Sequence, residues 1–109
     1  MYKWNGKIYK CPLEFTVEIL GRKWRSLIIW HLDKDVLRFS EIQKIVPGVS
    51  KKVLSEHLRE LEKNDFITRK IYAEVPPRVE YKITKSGKEL AKVLDVMENW
   101  GRDFLESKQ

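Results

Sequence analysis

A helical spacing of apolar residues opens the readable pattern at Pro12. Leu13, Val17 and Leu20 recur on one face, Pro12 suits a first helical turn because the N–H it lacks is not needed there, and Gly21 is a natural stop. Trp24, Leu27, Ile28, Ile29, Trp30 and Leu32 make the next segment apolar around most of its circumference, which predicts a helix clasped in the middle of a small domain. Ser40 with Gln43 three residues on has the form of a capping box. A helix of about two turns therefore runs from Glu41 through Ile42 and Ile45 until Pro47-Gly48 ends it. Ser50 then caps a longer helix that reaches Asn64 or Asp65, with Val49 and Leu54 at hydrophobic-staple positions. A short helix, a tight turn and a longer capped helix spell helix-turn-helix.

Strand patterns follow. Phe66 to Tyr72 is rich in β-branched and aromatic residues, and Val79, Tyr81 and Ile83 alternate with Glu80 and Lys82 as a half-buried strand does. Between them, Ala73-Glu74-Val75-Pro76-Pro77-Arg78 carries two prolines that cannot donate to a ladder, which predicts a stiff, protruding loop. A long-tipped hairpin directly after a helix-turn-helix is the winged-helix arrangement. Thr84 or Ser86 begins a last helix of about residues 85–107, Ser86 with Glu89 forming a second capping-box pattern. Along it Leu90, Leu94, Met97, Gly101 and Phe104 recur at alternating steps of four and three, and Trp100 and Leu105 widen the stripe. The stripe is broader than one neighbour needs, so Leu90, Val93, Leu94, Met97, Trp100 and Phe104 are the candidate contacts with a second copy. The expected fold is mainly α with a small β-hairpin: one winged helix-turn-helix domain over residues 1–109, with extra N- and C-terminal helices for dimerisation.

Composition narrows the compartment and the partner. At 109 residues the chain fits one domain, and its single Cys allows no internal disulfide. With no N-terminal apolar run and no uninterrupted apolar stretch of membrane-spanning length, a reducing cytoplasm is expected. The formal charge of +6 favours an anionic partner. That charge is unevenly placed: residues 50–85 hold nine basic and six acidic side chains, whereas residues 86–109 hold four and five. A polyanion-contact surface and a self-contact surface are thereby separable along the chain.

On a wheel at 100° per residue with Leu54 at zero, Leu58 falls at about +40° and Leu61 at about −20°, a core-facing arc. Lys52, Ser55, Glu56, Arg59 and Lys63 fall between about 100° and 200°, a polar strip on the opposite side. Any surface helix has a polar face; the preceding short helix and Pro-Gly turn are what make this one a candidate for the major groove. Arg59 or Lys52 would then reach guanine or phosphate, with Ser50, Lys51 and Ser55 near the helix start, which enters deepest. Glu56 on the strip and Ser40 on the short helix complete the set there. Arg69, Lys70 and Arg78 bracket the proline loop, where cations can enter a minor groove or grip flanking phosphates, or alternatively protect the hairpin edge. Cys11, next to Lys10 and just before Pro12, stands in the electropositive setting that reactive cysteines favour, and equally fits the role of a small buried hydrophobe.

Catalysis finds little support in the residues. His31 and His57 have no spaced cysteines, so no zinc pattern exists, and His57 reads as a helix-flank or phosphate contact. The glycines at 6, 21, 48, 87 and 101 build neither a P-loop nor a dinucleotide fingerprint. No enzyme activity, cofactor or metal is expected.

Several strings taken in order resemble the HxlR-type winged-helix transcriptional regulators of bacteria and archaea: Cys11-Pro12, Gly21-Arg22-Lys23-Trp24, Leu37-Arg38-Phe39-Ser40-Glu41-Ile42, Pro47-Gly48-Val49-Ser50, Leu58-Arg59-Glu60-Leu61-Glu62 and Val75-Pro76-Pro77-Arg78-Val79-Glu80-Tyr81. The resemblance runs from Cys11 to about Gly101. It implies a dimeric DNA-binding regulator, more often a repressor, on a pseudo-palindromic double-stranded operator. The helix after Ser50 would read the major groove, the Pro76-Pro77-Arg78 loop would be the wing, and the N- and C-terminal helices would form the dimer. At the position of Cys11 it implies oxidant or electrophile sensing in some members and a structural role in others. Two readings compete: a winged helix that meets an acidic protein through the same cationic faces, and an RNA-binding variant, which the lack of stacking aromatics on the polar strip disfavours.

Overall fold

The computed structural model describes residues 1–21 and 23–109; Arg22, within the Gly21-Arg22-Lys23-Trp24 string, lies outside the described residues. Two short strands, β1 (Tyr2–Trp4) and β2 (Lys7–Tyr9), precede the helices α1 (Pro12–Leu20) and α2 (Lys23–Leu32). Then come β3 (Leu37–Arg38), α3 (Phe39–Ile45), α4 (Lys51–Lys63), β4 (Ile67–Tyr72), β5 (Arg78–Ile83) and the long α5 (Lys85–Ser107). The expected helices are all present, α3 and α4 form the helix-turn-helix, and β4 with β5 forms the wing.

The core is built around α2. Ile28 and Ile29 are fully buried against Ile42 of α3, Leu54, Leu58 and Leu61 of α4, Ile67 of β4 and Ala91 of α5. Each of the three α4 leucines stabilises the fold by roughly 1.5–3 kcal/mol through burial, so their common face fixes how α4 is rolled. The caps hold its ends. Ser50 Oγ accepts from the Val53 N–H at 3.1 Å, and Gly48, at φ +81°, takes the left-handed conformation that lets the chain turn between α3 and α4.

Four features differ from the sequence expectation. Leu37 and Arg38 pair with Tyr81 and Glu80, adding β3 to a three-stranded antiparallel sheet of order β3-β5-β4. That pairing holds Arg38 extended (φ −85°, ψ 161°) and makes it the N-cap of α3. Ser40 is therefore the second residue of that helix and not its cap, and Glu41, not Gln43, reaches back to accept from the Arg38 N–H at 2.8 Å. At α5 the cap is Thr84, whose Oγ1 accepts from the Gly87 N–H at 3.1 Å and donates to the Asp65 carbonyl at 2.6 Å. The Ser86 and Glu89 pattern is thus not a capping box.

The remaining surprise is the N-terminal hairpin. Asn5 (φ 49°) and Gly6 (φ 77°) both have positive φ, the tight hairpin turn that an Asn-Gly pair favours. Phe15 of α1 meets Trp4 and Tyr9 edge to face, each at 5.1 Å between ring centres, and Lys7 pairs with Glu18 at 2.7 Å. The hairpin is thereby seated on α1, leaving Leu13 and Val17 exposed.

At the other end α5 crosses α2, with the Trp30 Nε1–H donating to Asp95 at 2.9 Å and Leu94 buried. Beyond Leu94 the helix continues for more than three turns with little of the chain against it. Among the described residues, no helix is long and apolar enough to cross a membrane.

Candidate nucleic-acid interface

The inward face of α4 is spent on the core, so its outward face is what the chain has to offer. Lys51, Lys52, Glu56 and Arg59 are all exposed on it, and Ser55 is half-buried. Ser50 is committed to its cap, so its hydroxyl shapes the helix start instead of standing free. Phe39 of α3, Ser55 and Arg59 of α4, Arg69 of β4 and the buried Tyr81 of β5 share one notch with Glu62. The short helix, the longer helix and the wing therefore meet at one place.

Charge in that notch is partly neutralised. Arg69 Nε lies 3.5 Å from Glu62, while Arg59 makes no ion pair among the described residues. Burial pushes the Tyr81 hydroxyl above its ordinary value; the Arg69 cation opposes that rise, Glu62 adds to it and Arg59 opposes it. At ordinary pH Tyr81 is thus a neutral floor beneath two guanidinium groups.

The wing holds the other cations. Its loop passes through a cis Val75–Pro76 peptide. Arg78 stacks over the Tyr72 ring at 4.1 Å and reaches Glu74 at 3.3 Å and Glu80 at 3.8 Å, with its Nε buried and unpartnered. Arg78 is braced within the hairpin and is not a free cation at its tip. Lys70 lies 4.9 Å from the same ring and is exposed. Ser40, with Arg38 and Phe39, faces residues 74–79 across a groove of about 470 Å³. Arg38 was not among the residues singled out from sequence, because only its pairing to β5 brings it beside the wing.

His57 reads differently in space than in sequence. It is 5% exposed, packed on the α2 side of α4, so it is neither a helix-flank side chain in solvent nor a phosphate contact. Among the six candidate self-contact residues, Leu94 is buried and Leu90 half-buried in the chain's own core, which removes both from a free surface. Val93, Met97, Trp100 and Phe104 stay exposed, with Val96 and Leu105 beside them, and Trp100 stacks on Phe104 at 5.3 Å. Cys11 is exposed just before Pro12, its carbonyl accepting from Glu14 and Phe15, so it is not the small buried hydrophobe that sequence left open. Among the described residues no cluster of His, Cys, Asp and Glu could hold a metal ion.

Known proteins share this arrangement. The family described as HxlR-like helix-turn-helix matches residues 19–109. An HTH-type transcriptional regulator of Methanothermobacter thermautotrophicus is 44% identical over 96 residues, covering 88% of this chain and 73% of that protein. The redox regulator HypR in its reduced form matches with a TM-score of 0.81 and 38% identity, over 89% of this chain and 99% of that one. The reduced form of the transcriptional regulator YodB from Bacillus subtilis matches with a TM-score of 0.75 and 37% identity, over 91% and 98%.

Proposed function

The chain belongs to the HxlR-like helix-turn-helix family of transcriptional regulators, and from that premise we propose that it acts as a homodimeric repressor of sequence-specific, operator-binding type. One α4 from each copy enters the major groove of one half-site, and Lys51, Lys52, Ser55, Glu56 and Arg59 face the base edges and nearby phosphates. Arg69, Lys70 and the braced Arg78 meet the backbone on the wing side. The observation that carries this reading is the outward face of α4, whose Arg59, without an ion pair among the described residues, stands beside Arg69 while Leu54, Leu58 and Leu61 on the face below are buried. Two such helices related by a dyad require a pseudo-palindromic operator with half-sites about 34 Å apart or a multiple of that. Occupying those base pairs excludes other proteins from them, so repression is the action such a footprint has by itself.

The dimer rests on α5, whose Val93, Met97, Trp100 and Phe104 are exposed. A fluorescence-anisotropy titration against upstream DNA tests the whole reading. Affinity should fall steeply with salt, by a slope of about 0.9 per phosphate neutralised, and drop in Arg59→Ala. Salt-indifferent binding, or nucleic-acid-free capture of an acidic protein through the same face, would favour an interaction module instead.

A second reading concerns control. Cys11 is the chain's single cysteine and is exposed, and one of the matching structures is the redox regulator HypR. Two Cys11 thiols, one per copy, would lose two protons and two electrons to form an intersubunit disulfide, with peroxide reduced to water or a quinone to its hydroquinone. Oxidant should then weaken operator binding, and Cys11→Ser should abolish that response. An unchanged response in the variant assigns Cys11 a purely structural role.

A further inference from the structure

His57 breaks the two-sided plan of α4. It stands about 60° round the wheel from Leu54, at the edge of the apolar arc, and its Nδ1 accepts from the Arg25 Nε–H of α2 at 3.2 Å. A ring nitrogen that accepts carries no proton, so the imidazole in this contact is neutral, with its proton on Nε2.

A neutral partner changes what Arg25 is able to do. Arg69 and Arg78 are paired with carboxylates at 3.3–3.8 Å. Arg25 is tethered by a ring without charge, and among the described residues no carboxylate lies within ion-pair distance of it. Among the described residues, its terminal nitrogens make no hydrogen bond. Arg25 lines a notch of about 360 Å³ with Glu56, His57, Arg59 and Glu60, and Arg59 also lines the notch on its other side with Arg69. Arg25, Arg59 and Arg69 thus follow one another from α2 across α4 to β4. The two glutamates on the rim oppose a loosely held anion, so the notch suits a phosphate carried in by a fixed duplex.

A helix about 10–12 Å across fills a major groove about 12 Å wide, and a phosphate wall then stands on each side of it. The wing and β4 supply cations to one wall. We infer that Arg25 supplies the other: its guanidinium contacts a DNA backbone phosphate on the α2 side of α4, and His57 is the positioning residue that fixes its Nε. This rests on the reading of α4 as the groove-entering helix.

The test uses the full chain and a duplex operator selected from genomic DNA, with affinity measured by anisotropy from 50 to 200 mM salt. Arg25→Gln should lower the salt slope by about 0.9 for each copy bound, so that the wild-type advantage over it shrinks about 12-fold across that range for a dimer. The ratio of specific to non-specific affinity should not change, because phosphate contacts carry no sequence information. His57→Leu should lower the slope with Arg25 still present, and His57→Gln, whose side-chain oxygen can accept the Nε–H, should lower it less; thermal melts confirm that each variant folds. A slope in Arg25→Gln equal to that of the wild type overturns the inference and leaves α4 as the reading helix. A His57→Leu slope equal to that of the wild type overturns the positioning role. A wild-type affinity indifferent to salt takes down the reading of α4 and this inference together.

Discussion

Two helices of this molecule solve opposite problems. α4 has 13 residues and buries Leu54, His57, Leu58 and Leu61, so what it leaves outside is, apart from Val53, charged and hydrogen-bonding. α5 has 23 residues and buries only Gly87, Ala91 and Leu94, so what it leaves outside includes Val93, Val96, Met97, Trp100, Phe104 and Leu105. The difference lies in where each helix finds an apolar neighbour. α4 packs against α2 and β4, whereas α5 packs against α2 and β5 with all its buried residues in its first half. A charged remainder suits a charged partner in water, and an apolar remainder suits another apolar surface. On this account α4 is the face toward nucleic acid and the end of α5 the face toward a second copy.

The sharpest way to break that contrast is to put charge on the α5 remainder. Trp100→Asp with Phe104→Asp should leave a folded monomer by light scattering, with a melting temperature near that of the wild type at low protein concentration. Operator affinity should fall by about 100-fold or more, because two half-sites are no longer linked. A double variant that stays dimeric would remove α5 from the interface. Next in size is the buried side of α4. Leu58→Ala should cost about 2–5 kcal/mol of stability in a denaturant titration, since a fully buried leucine leaves a cavity where it stood. The same truncation at exposed Trp100 should cost the isolated fold little. On the outer side of α4, Arg59→Ala should weaken operator binding by about 1–3 kcal/mol with a melting temperature close to that of the wild type. Smallest is the cap that starts the helix: Ser50→Ala should cost about 1 kcal/mol of stability.

The parts legible in sequence were those set by short-range chemistry. Ser50, Pro47-Gly48 and the Leu54, Leu58, Leu61 spacing act within one or two turns, so the helix-turn-helix could be read without knowing its neighbours. β3 could not, because two residues become a strand only when β5 lies alongside, and the same pairing moved the start of α3 from Ser40 to Arg38. The N-terminal hairpin is a different case. Its Asn5-Gly6 turn is a local signal, but the strands on either side have only three residues each, too few for an alternation to show. Within the candidate site, the polar strip of α4 was visible on the wheel. The burial of His57 was not, since its polarity masked a position at the edge of the apolar arc. Arg78 sits at the start of β5, next to the two prolines, but its bracing by Tyr72, Glu74 and Glu80 depends on how the loop closes.

The central claim is that two copies of α4 occupy neighbouring major grooves of one duplex. Interference by N7-methylated guanine, mapped base by base on a selected operator, reads that geometry directly. The account predicts two symmetric clusters of major-groove interference about 34 Å apart or a multiple of it, both weakened in Arg59→Ala. A single cluster, or strong binding with no major-groove interference at all, would contradict it.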